Sequence, residues 1–230
     1  MDKIKSPFSG NMLKIMALIF MTIDHIGYYL LPGVRILRII GRLAMPIFAY
    51  MIAEGCTYTK KPKKYFLSVF SVGLFCQLVY LIAIQSLSMC IFITFSFSII
   101  LIFSLKFAEE KGGFYFLIPL FALSAAFFIS YVLPRMFPHS GFHLDYGFYG
   151  VVLPLFAYIP KERHEKLFMF AIGVLLLSLS YNTIQFWSLL SIPLLILYNG
   201  KRGKLRIKYL FYAYYPLHLA VLYVIKELIR

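Results

Sequence analysis

The stretch MALIFMTIDHIGYYLLP, residues 16–32, decides the fold class. It belongs to an apolar run long enough to cross a hydrocarbon core of about 30 Å as a helix, yet Asp24 and His25 stand side by side within it. An ionisable side chain at the bilayer centre costs about 2.5–3.5 kcal/mol or more, so an adjacent pair there marks the place to look for chemistry.

The rest of the chain agrees with that reading. Of 230 residues, 61% are hydrophobic and only 14% charged, against about 25% charged in a soluble domain. Apolar runs fill nearly the whole length, which predicts an all-α, polytopic integral membrane protein forming a single multi-pass domain over residues 1–230. About nine candidate spans are counted, at 12–31, 35–55, 65–84, 89–108, 114–133, 146–158, 167–180, 183–198 and 209–228, and the boundaries admit roughly eight to ten. The sixth to eighth are short for a full crossing.

The net charge of +14 invites a nucleic-acid reading, but the basic residues occupy alternate connections. Lys3 and Lys5, then Lys60, Lys61, Lys63 and Lys64, then Lys106 and Lys111, then Lys161, Arg163 and Lys166, and finally Lys201, Arg202, Lys204, Arg206 and Lys208 mark one side. The opposite connections carry little beyond Arg35 and Arg135. The bias places the N-terminus in the cytoplasm and the protein in the cytoplasmic membrane, its partner being lipid and not nucleic acid. The first apolar run lacks a small-residue cleavage site and is expected to be retained as a span. Cys56, Cys76 and Cys90 have no metal or redox spacing and read as apolar filler, and no metal is expected. Residues 134–145, PRMFPHSGFHLD, form the one long polar connection, either a plain loop or a cap over a site.

Pro32 and Gly33 form the turn between the first two spans, with Asp24 nine residues before Gly33 and Arg42 nine after it. In an antiparallel helical hairpin the two lie at similar depth and can pair, a bond that is either structural or part of a site. Arg38 is one turn outward from Arg42 on the same face. His25 points about 100° away from Asp24, so it need not share that pair and can face a cavity of its own. A histidine is the side chain suited to base catalysis near neutral pH.

Further positions stand out. His218 supplies a second imidazole near mid-membrane, in a helix interrupted by Pro216. Glu54 lies near the cytoplasmic end of the second span, where it either serves a site or snorkels beside Lys60 and Lys61. Asp145 opens DYGFYG, where a carboxylate caps a helix N-terminus, while Tyr146, Tyr149 and the two glycines form a packed wall or a substrate slot. No GxGxxG, Walker A, HExxH or GxSxG motif is present.

Four segments together carry a resemblance: LKIMALIFMTIDHIGYYLLP, LRIIGRLAMPIFAYMIAEGCTYTK, DYGFYGVVLPLFAY and KYLFYAYYPLHLAVLYVI. They resemble, in order and over nearly the whole chain, the TraX family, named for the conjugative-pilus protein that N-acetylates F-type pilin. That family is similar in character to the acyltransferase-3 membrane acyltransferases. The resemblance implies acetyl transfer from cytosolic acetyl-CoA as co-substrate, with His25, Arg42, Glu54 and His218 as the matching polar positions. In the fourth span Thr94 fits the family pattern, while Cys90 and Ser98 stand where an Asn and a Gly are expected.

The candidate catalytic set is therefore His25, Asp24, Arg42 and His218, with Arg38, Glu54, Asp145, Tyr149 and Thr94 as candidate substrate-binding or cofactor-binding positions. The expected acceptor is an amine or hydroxyl on a pilin-like protein, another peptide or a glycan. A proton-coupled permease and a non-catalytic assembly protein are the alternatives. A permease is expected to show internal repeats with paired broken helices, and the sequence shows none.

Overall fold

The computed structural model describes residues 6–204 and 208–229, so Lys3, Lys5 and Arg206 of the basic flanks lie outside the described residues. Five described helices are long and apolar enough to cross a membrane: Gly10–Tyr29, Arg35–Tyr58, Pro62–Ile82, Ile91–Lys111 and Gly113–Met136. They coincide with the first five predicted spans. The shorter predicted spans correspond to lesser elements. The sixth is a 12-residue helix at Gly147–Tyr158, and the eighth is a 3₁₀ stretch at Thr183–Leu190 running into Ser191–Ile196. With a short α7 (Leu133–Met136) closing the fifth span, the seventh is α9 (Arg163–Leu179), the eighth ends in α10 (Ser191–Ile196) and the ninth is α11 (Lys208–Ile229).

The second span is not one uninterrupted helix. It divides into α2 (Arg35–Gly41) and α3 (Ala44–Tyr58), with a turn at Arg42 and Leu43. The Arg42 amide donates to both the Arg38 and Ile39 carbonyls at 3.2 Å, and the Leu43 amide to Ile40 at 3.3 Å, a 3₁₀-like tightening that re-aims the side chain at that joint.

Two compact units are distinguished by their internal packing: Met1–Met51 with Val174–Arg230, and Ile52–Gly173.

In the first unit, α1 (Gly10–Tyr29) starts at Ser9, whose hydroxyl accepts from the Met12 amide at 3.3 Å. The amides of Gly10 and Asn11 are taken up by the carbonyls of Lys201 and Arg202, at 2.8 and 2.9 Å. Gly203, at φ +91°, makes that seam possible, because a methyl group there would fall 2.6 Å from Ser9 Oγ. Helix α1 then packs on α2 through small residues. A methyl group on Gly27 would meet Leu37 Cβ at 2.8 Å, and one on Gly41 would meet Asp24 Cβ at 2.2 Å. Such close backbone approach is how membrane helices gain contact without a hydrophobic drive between them. The last helix, here α11 (Lys208–Ile229), also packs on α1.

In the second unit, α5 (Ile91–Lys111) is the central element, contacting α4 (Pro62–Val79), α6 (Leu117–Phe127) and α8 (Gly147–Tyr158). Its membrane-depth part, Ile91–Ser104, carries no charged residue, and Phe95, Ile99, Leu101 and Ile102 on it are buried. Its buried hydroxyls face partners: Thr94 Oγ1 donates to the Asp145 carbonyl and Ser98 Oγ to the Val151 carbonyl, both at 2.7 Å. Phe121 and Ile82 are more than three-quarters exposed, as side chains facing lipid would be. Two connections meet in a short parallel ladder, β1 (Ser88–Met89) with β2 (His143–Leu144), which ties the 134–145 loop down.

Candidate functional site

The hairpin brings three charges together. Asp24 is 7% exposed and lies between two guanidinium groups. Arg38 Nη1 donates to its Oδ2 at 2.7 Å, and Arg42 Nη2 reaches both carboxylate oxygens at 2.5 Å. Arg38 Nη1 also donates to the Asp24 carbonyl at 3.1 Å, and its guanidinium sits 5.0 Å from the centre of the Tyr28 ring. One carboxylate thus serves two arginines, and the three groups together carry one net positive charge in partly dry surroundings. Pairing lowers the cost of burying these groups, and the net charge is what an anion or a developing oxyanion would meet.

The expectation that His25 faces a cavity of its own is corrected. Its Nδ1 lies 2.8 Å from Nε2 of His218, with the two rings stacked at 5.0 Å. The 100° turn from Asp24 points His25 at α11, where His218 is 7% exposed. His218 is held in turn: its Nδ1 bonds the Tyr214 carbonyl at 2.9 Å, and the Tyr214 ring stacks on it at 5.2 Å. Tyr214 is braced from α1 by Thr22, hydroxyl to hydroxyl at 2.7 Å. Sequence spacing within one helix carries no information about a contact 193 residues away, so the pairing was not legible.

Gln185 was also missed. It is 1% exposed on the 3₁₀ stretch, and its Oε1 accepts from Arg42 Nη1 at 3.3 Å. Among the described residues its Nε2 has no hydrogen-bond partner. Ser178 Oγ lies 3.0 Å from the Gln185 carbonyl and 3.2 Å from Ser188 Oγ, which fixes the stretch. A lone amide inside the apolar TIQFWSLL was the available signal.

The remaining predicted positions, Glu54, Thr94, Asp145 and Tyr149, belong to the second unit. Glu54 does not snorkel beside Lys60 and Lys61; it is buried and pairs with Lys166 Nζ at 3.6 Å. The N-cap position of α8 is taken by Tyr146, at φ +56°, and Asp145 stands one residue before it. The Asp145 carbonyl accepts from Thr94, whose hydroxyl is thereby engaged in packing. Tyr149 lies on α8 beside Gly150, where an added methyl group would fall 2.6 Å from Tyr146 Cβ and 3.2 Å from Thr94 Cγ2. That is a packed wall. Cys56, Cys76 and Cys90 are free and buried. Among the described residues no group of three or more His, Cys, Asp or Glu side chains is placed to hold a metal ion.

Known proteins supply an independent line. The model of the family described as TraX protein matches residues 9–226. Over 245 aligned residues the chain is 26% identical to the probable fimbrial assembly protein FimC, serogroup H1, of Dichelobacter nodosus, covering 94% of each. A segment of 53 residues is 53% identical to uncharacterized protein RP591 of Rickettsia prowazekii (strain Madrid E), covering 23% of this chain and 21% of that protein. No solved structure matches.

Proposed function

The chain belongs to the TraX family, and from that premise we propose that it is an integral-membrane acyltransferase. It moves an acetyl group from cytosolic acetyl-CoA to an amine or hydroxyl acceptor, a pilin-like protein being the first choice. The observation that carries the proposal is the arrangement of a half-buried His25, paired with the buried His218, beside a cluster in which the buried Asp24 serves both Arg38 and Arg42.

The co-substrate supplies an activated acyl carbon and a thiol leaving group. His25 removes a proton as the acceptor nitrogen or oxygen bonds to that carbon, and returns it to the departing sulfur as the C–S bond breaks. The net positive charge of the Arg38 and Arg42 cluster stabilises the oxyanion that develops between these steps. Because both guanidiniums are already committed to Asp24, they are poor candidates for gripping the CoA phosphates, and the basic connections serve that role better. About nine crossings of the cytoplasmic membrane, with a cytoplasmic N-terminus, belong to the same reading and deliver the co-substrate from the basic side.

Purified protein in detergent, given radiolabelled acetyl-CoA with pilin, peptide and glycan acceptors, is expected to release CoA in step with acceptor labelling. Full turnover by His25→Ala would remove His25 as the base. A second reading, a pilus-associated assembly protein without catalysis, is supported by the description of the Dichelobacter nodosus relative as a probable fimbrial assembly protein. Under it, acetyl-CoA gives neither turnover nor thermal stabilisation. Uptake by proteoliposomes without acetyl-CoA would favour the permease.

A further inference from the structure

We propose that His218 is a positioning residue that fixes the tautomer of His25 and so decides which ring nitrogen acts as the base, an inference that rests on the acyltransfer reading. The hydrogens can be placed one bond at a time. The Tyr214 carbonyl can only accept, so the 2.9 Å bond to it requires a proton on Nδ1 of His218. Among the described residues no ion pair joins either imidazole to a carboxylate, and with no such counter-charge on them we assign both rings as neutral. A neutral ring carries one proton, so Nε2 of His218 is an acceptor. The 2.8 Å bond to it must then be donated by Nδ1–H of His25. This leaves Nε2 of His25 with its lone pair, the atom that receives the acceptor's proton.

The relay runs from a backbone carbonyl through two rings and ends on that lone pair. It gives the imidazolium formed during the reaction a continuing bond through Nδ1–H, the service that a carboxylate performs in hydrolase triads. Asp24, the adjacent carboxylate, does not perform it because its oxygens are held by Arg38 and Arg42. Stacking of Tyr214 on His218, at 9° between ring planes, and the Thr22 to Tyr214 bond hold the relay's far end rigid.

The test is nitrogen NMR of [15N]histidine-labelled protein in detergent micelles, combined with steady-state kinetics. The expected wild-type spectrum shows His25 protonated on Nδ1 and bare on Nε2, with assignment by loss of the signals in His25→Gln. In His218→Leu, His25 is expected to shift to the Nε2–H form, with kcat falling about 10²-fold at unchanged KM for acetyl-CoA. His218→Gln, whose carbonyl can accept from Nδ1–H, is expected to restore the tautomer and most of the rate. A wild-type His25 protonated on Nε2, or a doubly protonated His218, would overturn the proposal, as would wild-type kcat in His218→Leu. The wild-type spectrum, assigned with His25→Gln, requires no turnover. A protein inactive on every acceptor but showing the expected tautomer would therefore fail the acyltransfer reading and leave the relay standing.

Discussion

Replacing Asp24 with asparagine should be among the most destabilising single changes in the first unit. The carboxylate is bonded to both Arg38 and Arg42, whose side chains are 24% and 12% exposed. The amide side chain would keep one acceptor oxygen but turn an NH₂ group toward the guanidiniums, depriving both largely buried cations of the carboxylate they share. Stranding one partner of a buried pair costs about 3–5 kcal/mol, whereas breaking an exposed pair costs at most about 1 kcal/mol. The burial selects the first range. Reversible unfolding of the detergent-solubilised protein by SDS titration measures the difference, with circular dichroism reporting helix loss. The double variant Asp24→Asn, Arg42→Gln removes one of the two cations together with the carboxylate, and should recover part of the loss, giving a non-additive cycle. A loss below about 1 kcal/mol for Asp24→Asn would refute the reasoning, because it would mean that water screens the cluster. A double variant no more stable than the single one would refute it too.

Gly41→Ala should reach the same cluster by crowding, since the new methyl group would overlap Asp24; a loss of about 1–3 kcal/mol by the same titration is expected. Ser98→Ala removes the bond from α5 to the Val151 carbonyl and should cost about 0.6 kcal/mol, at most about 1.7. Glu54→Gln leaves Lys166 without this carboxylate and should cost about 1–3 kcal/mol, with Lys166→Met in the same background restoring stability. Because Ser98→Ala and Glu54→Gln remove no contact of the His25 and His218 pair, nitrogen NMR should find the His25 tautomer unchanged in both.

The composition and the lengths of the apolar runs were enough to read an all-α membrane protein, since hydrocarbon tolerates no unsatisfied backbone and leaves the helix as the simplest spanning element. The Asp24 and Arg42 pairing was legible for a related reason: a hairpin joined by a tight Pro32–Gly33 turn leaves little freedom in register, so counting residues equates depth. Counting failed where the chain departed from a plain helix. Tyr146 takes a left-handed conformation that moves the start of α8 past Asp145, and residues 183–190 wind as a 3₁₀ stretch, which rises differently from the helix assumed for a span. Glu54 admits two readings in the sequence, a site residue or a snorkelling side chain, because its partner, Lys166, lies far away along the chain.

By itself the sequence determined which residues had to be explained: an Asp, two Arg and two His within apolar runs, where their desolvation demands a partner or a purpose. It could not say which met which, beyond the one pair that a short turn brings to equal depth. Tertiary structure decided that Arg38 joins Arg42 on a single carboxylate, that Gln185 reaches Arg42, and that His218 meets His25. The physical reason is that helix periodicity specifies only the direction in which a side chain leaves its own axis. Which helix stands in that direction is settled by packing between segments far apart in the chain, here α1 against α11.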